Sequence, residues 1–137
     1  MVTLTSPTNG ATISDAHGVG TLVNDDVAVG SVSISDVTIT EGNSGVKVAT
    51  FTVTRTGGTA AFDVNYATSD YTAAGNGNDY VSTNGTLSFG DNVNSQTISV
   101  TIKGDFAIES DEQFVVTLSS PTNGATISDP HGVGTIL

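Results

Sequence analysis

Apolar residues recur at every second position in short runs along this chain, and Gly, Asn, Ser and Asp cluster between the runs. Such alternation predicts half-buried β-strands, because successive side chains of a strand point to opposite faces. Val32, Ile34, Val37 and Ile39 mark a first strand, with a break at Asp36 that reads as a bulge. Val46, Val48, Phe51 and Val53 mark a second, with a slip near Ala49. Phe62, Val64 and Tyr66 mark a third, Leu87 and Phe89 a fourth, and Ile98, Val100 and Ile102 a fifth. Phe114, Val116 and Leu118 mark a sixth, and Val133 to Leu137 a seventh. Seven short strands punctuated by turn residues predict an antiparallel β-sandwich. Composition agrees: 22 Thr and 17 Val stand against 5 Leu, 3 Glu and 2 Lys, so good helix formers are scarce. The chain is all-β.

The seven strands occupy only the later part of the sequence. Residues Val2 to Val23 read VTLTSPTNGATISDAHGVGTLV, and Val116 to Leu137 read VTLSSPTNGATISDPHGVGTIL. Across 22 positions they differ at Thr5/Ser119, Ala16/Pro130, Leu22/Ile136 and Val23/Leu137. The offset of 114 is a domain length, not a solenoid period. Residues 1–26 therefore read as the last two strands and linker of a preceding near-identical repeat, and 27–137 as one full repeat. That arrangement points to a tandem array of the kind found in long extracellular proteins, with adjacent repeats as partners. A lone hairpin is marginal in water. The overhang is thus also expected to offer strand-swapped self-association through residues 2–23.

Charge narrows the function. The net charge of −11 excludes a nucleic-acid binder that neutralises phosphates, and disfavours an anionic membrane face. With no cysteine there is no disulfide, thiolate zinc site or thiol nucleophile. No apolar run of about 20 residues and no basic-then-apolar start occurs, so neither membrane insertion nor a signal peptide is predicted in these residues. The acids are not spread evenly. Alternate loops of an antiparallel sandwich share an end, which gathers Glu41, Asp70, Asp79, Asp105, Glu109, Asp111 and Glu112 at the tip where the chain exits. Carboxylates so crowded repel, and a hard divalent cation with oxygen ligands offsets that. Loop carbonyls around Gly42, Gly75 and Gly77 would add neutral ligands. Asn24-Asp25-Asp26 follows the overhang copy of the last strand, so each repeat of an array would exit into an Asp pair at its own acidic tip.

The segments ITEGNSG (39–45), FTVTRTGG (51–58), VNYATSDYTAAGNGNDY (64–80), GTLSFG (85–90) and the run containing ESDEQF (109–114) together resemble a Calx-beta domain. That resemblance implies a seven-stranded immunoglobulin-like β-sandwich binding Ca2+ at one tip, as in sodium–calcium exchangers and many large bacterial surface and secreted proteins. Position by position it assigns Glu41, Asp79, Asp105, Glu109 and Glu112 as metal ligands. Here Gly104 and Phe106 flank a single Asp105, where many members carry an aspartate run, and this implies fewer ions and weaker affinity. The implied setting is extracellular, secreted or at the cell surface, with a structural and adhesive role.

Other functions fit less well. Ser128, Asp129 and His131 superficially assemble a hydrolase set, but neighbours on one strand face opposite ways and no oxyanion loop accompanies them. Glu109 and Glu112 imitate a glycosidase pair, yet without tryptophan there is no sugar platform. The chain is not read as an enzyme. Thr-x-Thr runs at 38–40 and 50–54 are too irregular for ice. The remaining alternatives are a metal-free β-sandwich spacer and a partner- or carbohydrate-binding adhesin module, the latter using Tyr66, Tyr71 and Tyr80 around one loop.

Overall fold

The computed structural model describes residues 1–23 and 26–137, and every regular element in them is a strand. Asn24 and Asp25 of the linker lie outside the described residues. The strands are β1 (Val2–Thr3), β2 (His17–Gly18), β3 (Ser31–Ile34), β4 (Val37–Ile39), β5 (Val46–Thr56) and β6 (Phe62–Asp70). They continue with β7 (Asn84–Phe89), β8 (Ser95–Lys103), β9 (Glu112–Ser119), β10 (Thr126–Asp129) and β11 (His131–Ile136). One sheet runs β10–β3–β5–β8 and the other β4–β11–β9–β6–β7, while β1 and β2 make a separate two-stranded sheet. The larger sheets bury the alternating residues between them. Val32, Phe51, Val53, Ile98, Val100 and Ile102 come from the first sheet; Phe62, Val64, Phe89, Phe114, Val116 and Leu118 come from the second. The all-β sandwich class holds.

Seven predicted strands become nine, because the first divides between the two sheets and β10, which precedes the predicted Val133–Leu137 strand, was not foreseen. Asp36 is not a bulge. β3 pairs antiparallel with β5, and β4 crosses to pair with β11 in the other sheet. The Asp36 carboxylate accepts the Val133 N–H at 2.8 Å, which ties the crossing chain to its new sheet. At the other end Pro130, which has no N–H to give a ladder, separates β10 from β11. First and last strands therefore run side by side in both sheets, and β10/β3 and β11/β4 are parallel pairs in an otherwise antiparallel sandwich.

The second predicted strand is also corrected. Its pairing with β8 runs without interruption from Val46↔Lys103 to Thr54↔Ser95, so there is no slip near Ala49. Ala49, Phe51 and Val53 face the core, while Val46 and Val48 face out, 63% and 55% exposed. A one-residue phase error moves a whole strand to the wrong face. Here two exposed valines outweighed one buried alanine. The same inward row ends on Arg55, 3% exposed, which the apolar pattern passes over. Its guanidinium donates to the carbonyls of Ala60 and Gly90 and lies 5.4 Å from the Phe62 ring centroid. Phe62 in turn stacks on Phe89 at 4.8 Å, so a cation and two rings clamp the end of the sandwich away from the acidic tip.

Candidate metal centre

Four chain segments meet at the acidic tip. The segment after β4 brings Glu41, whose N–H donates to the Leu137 carbonyl at 3.2 Å. The β6–β7 loop brings Asp79, and its path is pinned on both sides. Thr72 and Ala73 N–H groups donate to the Gln113 carbonyl at 2.9 and 2.8 Å, and Lys103 N–H donates to the Asp79 carbonyl at 2.8 Å. The loop thus spans from β9 to β8 and sets Asp79 beside Glu112. One Asp79 carboxylate oxygen also accepts the Ala74 N–H at 2.6 Å. The β8–β9 loop carries Asp105, which accepts the Ala107 N–H at 2.7 Å, and Glu109. Glu112 is not in that loop; it is the first residue of β9.

Carboxylate oxygens of Asp79, Glu109 and Glu112 all lie within 4.8 Å of one another. Asp79 and Glu112 are half-buried and Glu109 is exposed. Glu41 stands close enough to act on this group electrostatically, and Asp105 close enough to act on Glu41. Partial burial raises the Glu41 carboxyl above its usual range, and the charges of Asp105, Glu109 and Asp79 raise it further. Glu112 is pushed up to about 7 by burial, then by the charge of Asp79 and a hydrogen bond with it, then by Glu109 and Glu41. Beside these groups is a cavity of about 220 Å³ bordered by Glu41, Gly42, Ile108, Glu109, Glu112 and Leu137. Oxygen donors without nitrogen or sulfur, several of them ionised, suit a hard cation such as Ca2+.

The metal-free tip is therefore under charge stress, and that has a pH signature. Folded Glu112 holds its proton up to about pH 7, whereas the unfolded chain releases it in the ordinary carboxylate range. Between those values the folded state binds more protons, so stability falls as pH rises through that window. Melting temperatures of chelator-stripped protein are expected to drop from about pH 5 to about pH 8, and added calcium to remove the drop. A flat profile in the stripped protein would contradict the proximity of Glu112 to Asp79.

Other tip residues serve the loops. Asp70 accepts the Gly75 N–H at 2.8 Å and the Tyr80 hydroxyl, so its carboxylate is engaged inside the β6–β7 loop. The Tyr80 phenol is pushed up to about 12 by burial, the Asp70 hydrogen bond and the Asp70 charge. Tyr80 is a core residue stacked on Phe114 at 4.4 Å, not a ligand platform; Tyr71 is exposed. The Gly75 carbonyl accepts from the Ser82 hydroxyl and N–H, so it is already used and is not free for a metal. Lys47, overlooked because it lies at a strand start, donates to the Thr40 carbonyl at 2.6 Å at the edge of the tip.

Gly104 has a different meaning in three dimensions. A Cβ there would sit 2.8 Å from the Gly42 carbonyl oxygen and 2.9 Å from that of Glu41. Glycine lets the β8–β9 loop close on the Glu41 segment, and the Gly104 N–H donates to the Gly45 carbonyl at 3.0 Å. Restoring an acidic run with Gly104→Asp is therefore expected to destabilise by about 1–3 kcal/mol and to weaken calcium binding, despite adding a carboxylate. Thermal melts with and without calcium check this; a stabler, tighter-binding variant would refute the contact.

With this geometry in place, a Calx-beta domain profile matches residues 24–137. The chain belongs to the Calx-beta family. No curated protein sequence matches. Among solved structures, CBD12 from CALX1.2 superposes with a TM-score of 0.68 at 29% identity, covering 78% of this chain and 43% of that one. The calcium binding domain CBD12 of CALX1.1 gives 0.68 at 29%, covering 77% and 44%. The apo-form Calx CBD1 domain gives 0.64 at 26%, covering 77% and 96%. The chain thus spans less than half of the two CBD12 chains and nearly all of the single CBD1 domain. The domain is thus related to calcium-binding domains, and Calx-beta domains are not enzymes.

Proposed function

We propose that this Calx-beta domain is a calcium-binding structural and adhesive repeat of a long extracellular tandem-repeat protein. Asp79, Glu109 and Glu112 hold the ion, with Glu41 and Asp105 completing its shell at the exit tip. The observation that carries this reading is the meeting of those three carboxylates within 4.8 Å, from two loops and a strand end. Holding like charges together costs stability unless a cation joins them. Membership of a family that includes the calcium binding domain CBD12 of CALX1.1 supports the choice of ion. The near-identity of Val2–Val23 to Val116–Leu137 supports the array. In an array the residues after Leu137 correspond to Asn24-Asp25-Asp26. Those aspartates would reach the same tip and make the stiffness of the junction depend on calcium.

The test is thermal unfolding of chelator-stripped protein titrated with calcium or magnesium at matched ionic strength. An ion bound only by the folded state at a hundredfold excess over Kd stabilises by about 2.7 kcal/mol. For a domain of this size that is a rise of roughly 8–15 °C. A saturating calcium response with little from magnesium is expected. No response to calcium would leave the metal-free spacer as the reading.

A further inference from the structure

The β10–β3–β5–β8 sheet turns one face to the core, and its outward face is lined by hydroxyls. On β5 Thr50, Thr52, Thr54 and Thr56 are exposed, while Phe51, Val53 and Arg55 between them are buried. On β8 the outward partners are Ser99 opposite Thr50, Thr97 opposite Thr52 and Ser95 opposite Thr54. From the other side β3 sets Ser33 beside Thr54 and Ser31 beside Thr56. The Thr-x-Thr run that is irregular along the chain thus continues unbroken to Thr56, and strands distant in sequence supply its lateral neighbours. The run at 38–40 takes no part, since β4 belongs to the other sheet.

No charged side chain interrupts these ranks, in a chain of net charge −11. Lys103, opposite Val46, lies past one end of them, and Asp129 lies beyond β3 with its carboxylate on the His131 N–H. The outer face of the second sheet is mixed, with Asp63, Asn65 and His131 beside Ala67 and Val115. Strand propensity accounts for threonine on both faces but not for the absence of charge from one. The Thr50, Thr52, Thr54, Thr56 and Thr97 hydroxyls make no hydrogen bond among the described residues. Branching at Cβ limits their rotation, and Phe51, Val53, Ile98 and Val100 beneath them are fully buried. Adjacent strands lie about 4.8 Å apart and alternate residues of one strand about 6.7 Å apart, so hydroxyls and methyls form a stiff two-dimensional grid.

We propose that this face binds ice. Oxygens on a prism face of ice repeat at spacings close to those of the grid, so the hydroxyls hold a layer of water near its lattice positions. Ice is uncharged, and a charged side chain would keep its own hydration shell between protein and crystal. Each contact is weak; the gain comes from many made at once by side chains with little freedom to lose. A twist of about 20–25° between neighbouring strands confines the flat contact to β5 and β8. That patch is about 20 Å long, three steps of two residues. Its small size suits adsorption and slowed recrystallisation rather than a wide gap between freezing and melting. The face is separate from the acidic tip and does not use its carboxylates.

The test is uptake of the full chain into slowly growing ice, run in chelator so that the acidic tip takes no part. The unaltered protein is expected to enter the ice severalfold above an inert solute. Thr52→Tyr places a ring at the centre of the grid, in an exposed strand position that suits tyrosine. It is expected to melt with the parent and to lose the enrichment entirely. Thr97→Tyr repeats the loss from β8 and replaces the first variant should that one not fold. Ala67→Tyr, on the outer face of the other sheet, keeps the parent's uptake. Exclusion of the unaltered protein from ice overturns the proposal. So does uptake retained by the folded Thr52→Tyr or Thr97→Tyr protein, or an equal loss in Ala67→Tyr.

Discussion

Replacing Phe114 with alanine is expected to cost about 3–5 kcal/mol, the range for deleting a buried aromatic, and to lower the melting temperature by roughly 10–25 °C. Phe114 is fully buried at the centre of the second sheet, in edge contact with Phe51 at 5.8 Å and stacked on Tyr80 at 4.4 Å. The Phe51 contact joins the two sheets. The Tyr80 contact joins the core to the β6–β7 loop, because the residue after Asp79 is the one that Phe114 holds. A second effect follows: a loosened Tyr80 frees Asp79 from its place beside Glu112, so calcium affinity falls even where the variant remains folded. Denaturant unfolding and calcium titration of the same sample separate the two losses. Leu118→Ala, in the same strand but away from the tip, is the comparison, with lost stability and unchanged affinity. Equal affinity losses in both variants would break the proposed link through Tyr80.

Asp79→Asn is expected to change sign with calcium. In stripped protein it removes a charge from the three-carboxylate group, so Glu112 loses its nearest repelling neighbour and the fold gains stability. The amide oxygen retains the acceptor role toward the Ala74 N–H, which keeps the loop in place. In saturating calcium the same change removes a ligand. A hundredfold loss of affinity at fixed calcium reduces a stabilisation of about 2.7 kcal/mol to about 0.4 kcal/mol. The variant should therefore melt above the parent in chelator and below it in calcium. Parallel melts in the two conditions decide the matter, and an unchanged order would mean that Asp79 does not face the ion. The crossing is the diagnostic feature, since a purely structural defect lowers both curves.

Much of this was legible in the chain. The strands marked by Phe62–Tyr66, Leu87–Phe89, Ile98–Ile102 and Phe114–Leu118 follow their alternation closely, because large apolar side chains recur there at every second position. The acidic tip was legible for a topological reason: alternate loops of a sandwich fall at the same end. Three features were not. The strand switch at Asp36 depends on an N–H from Val133, 97 positions away, and no local pattern announces it. The inward row Ala49–Phe51–Val53 was hidden by two outward valines of greater hydrophobicity. Gly104 looked like a missing ligand, because its neighbours across the tip, the carbonyls of Glu41 and Gly42, are distant in sequence.

Periodicity, turn residues and the 114-residue offset are local or self-referential properties. The order of amino acids therefore suffices to set an all-β chain that repeats one 22-residue stretch and gathers a group of acids at one end. Which of those acids meet is another matter. Asp70 and Asp79 sit at the two ends of one short stretch and are chemically alike. One is spent on Tyr80 and Gly75, while the other is held beside Glu109 and Glu112. That division is made by hydrogen bonds from β8 and β9 to the loop between β6 and β7. Those contacts exist only once the two sheets have closed on their core.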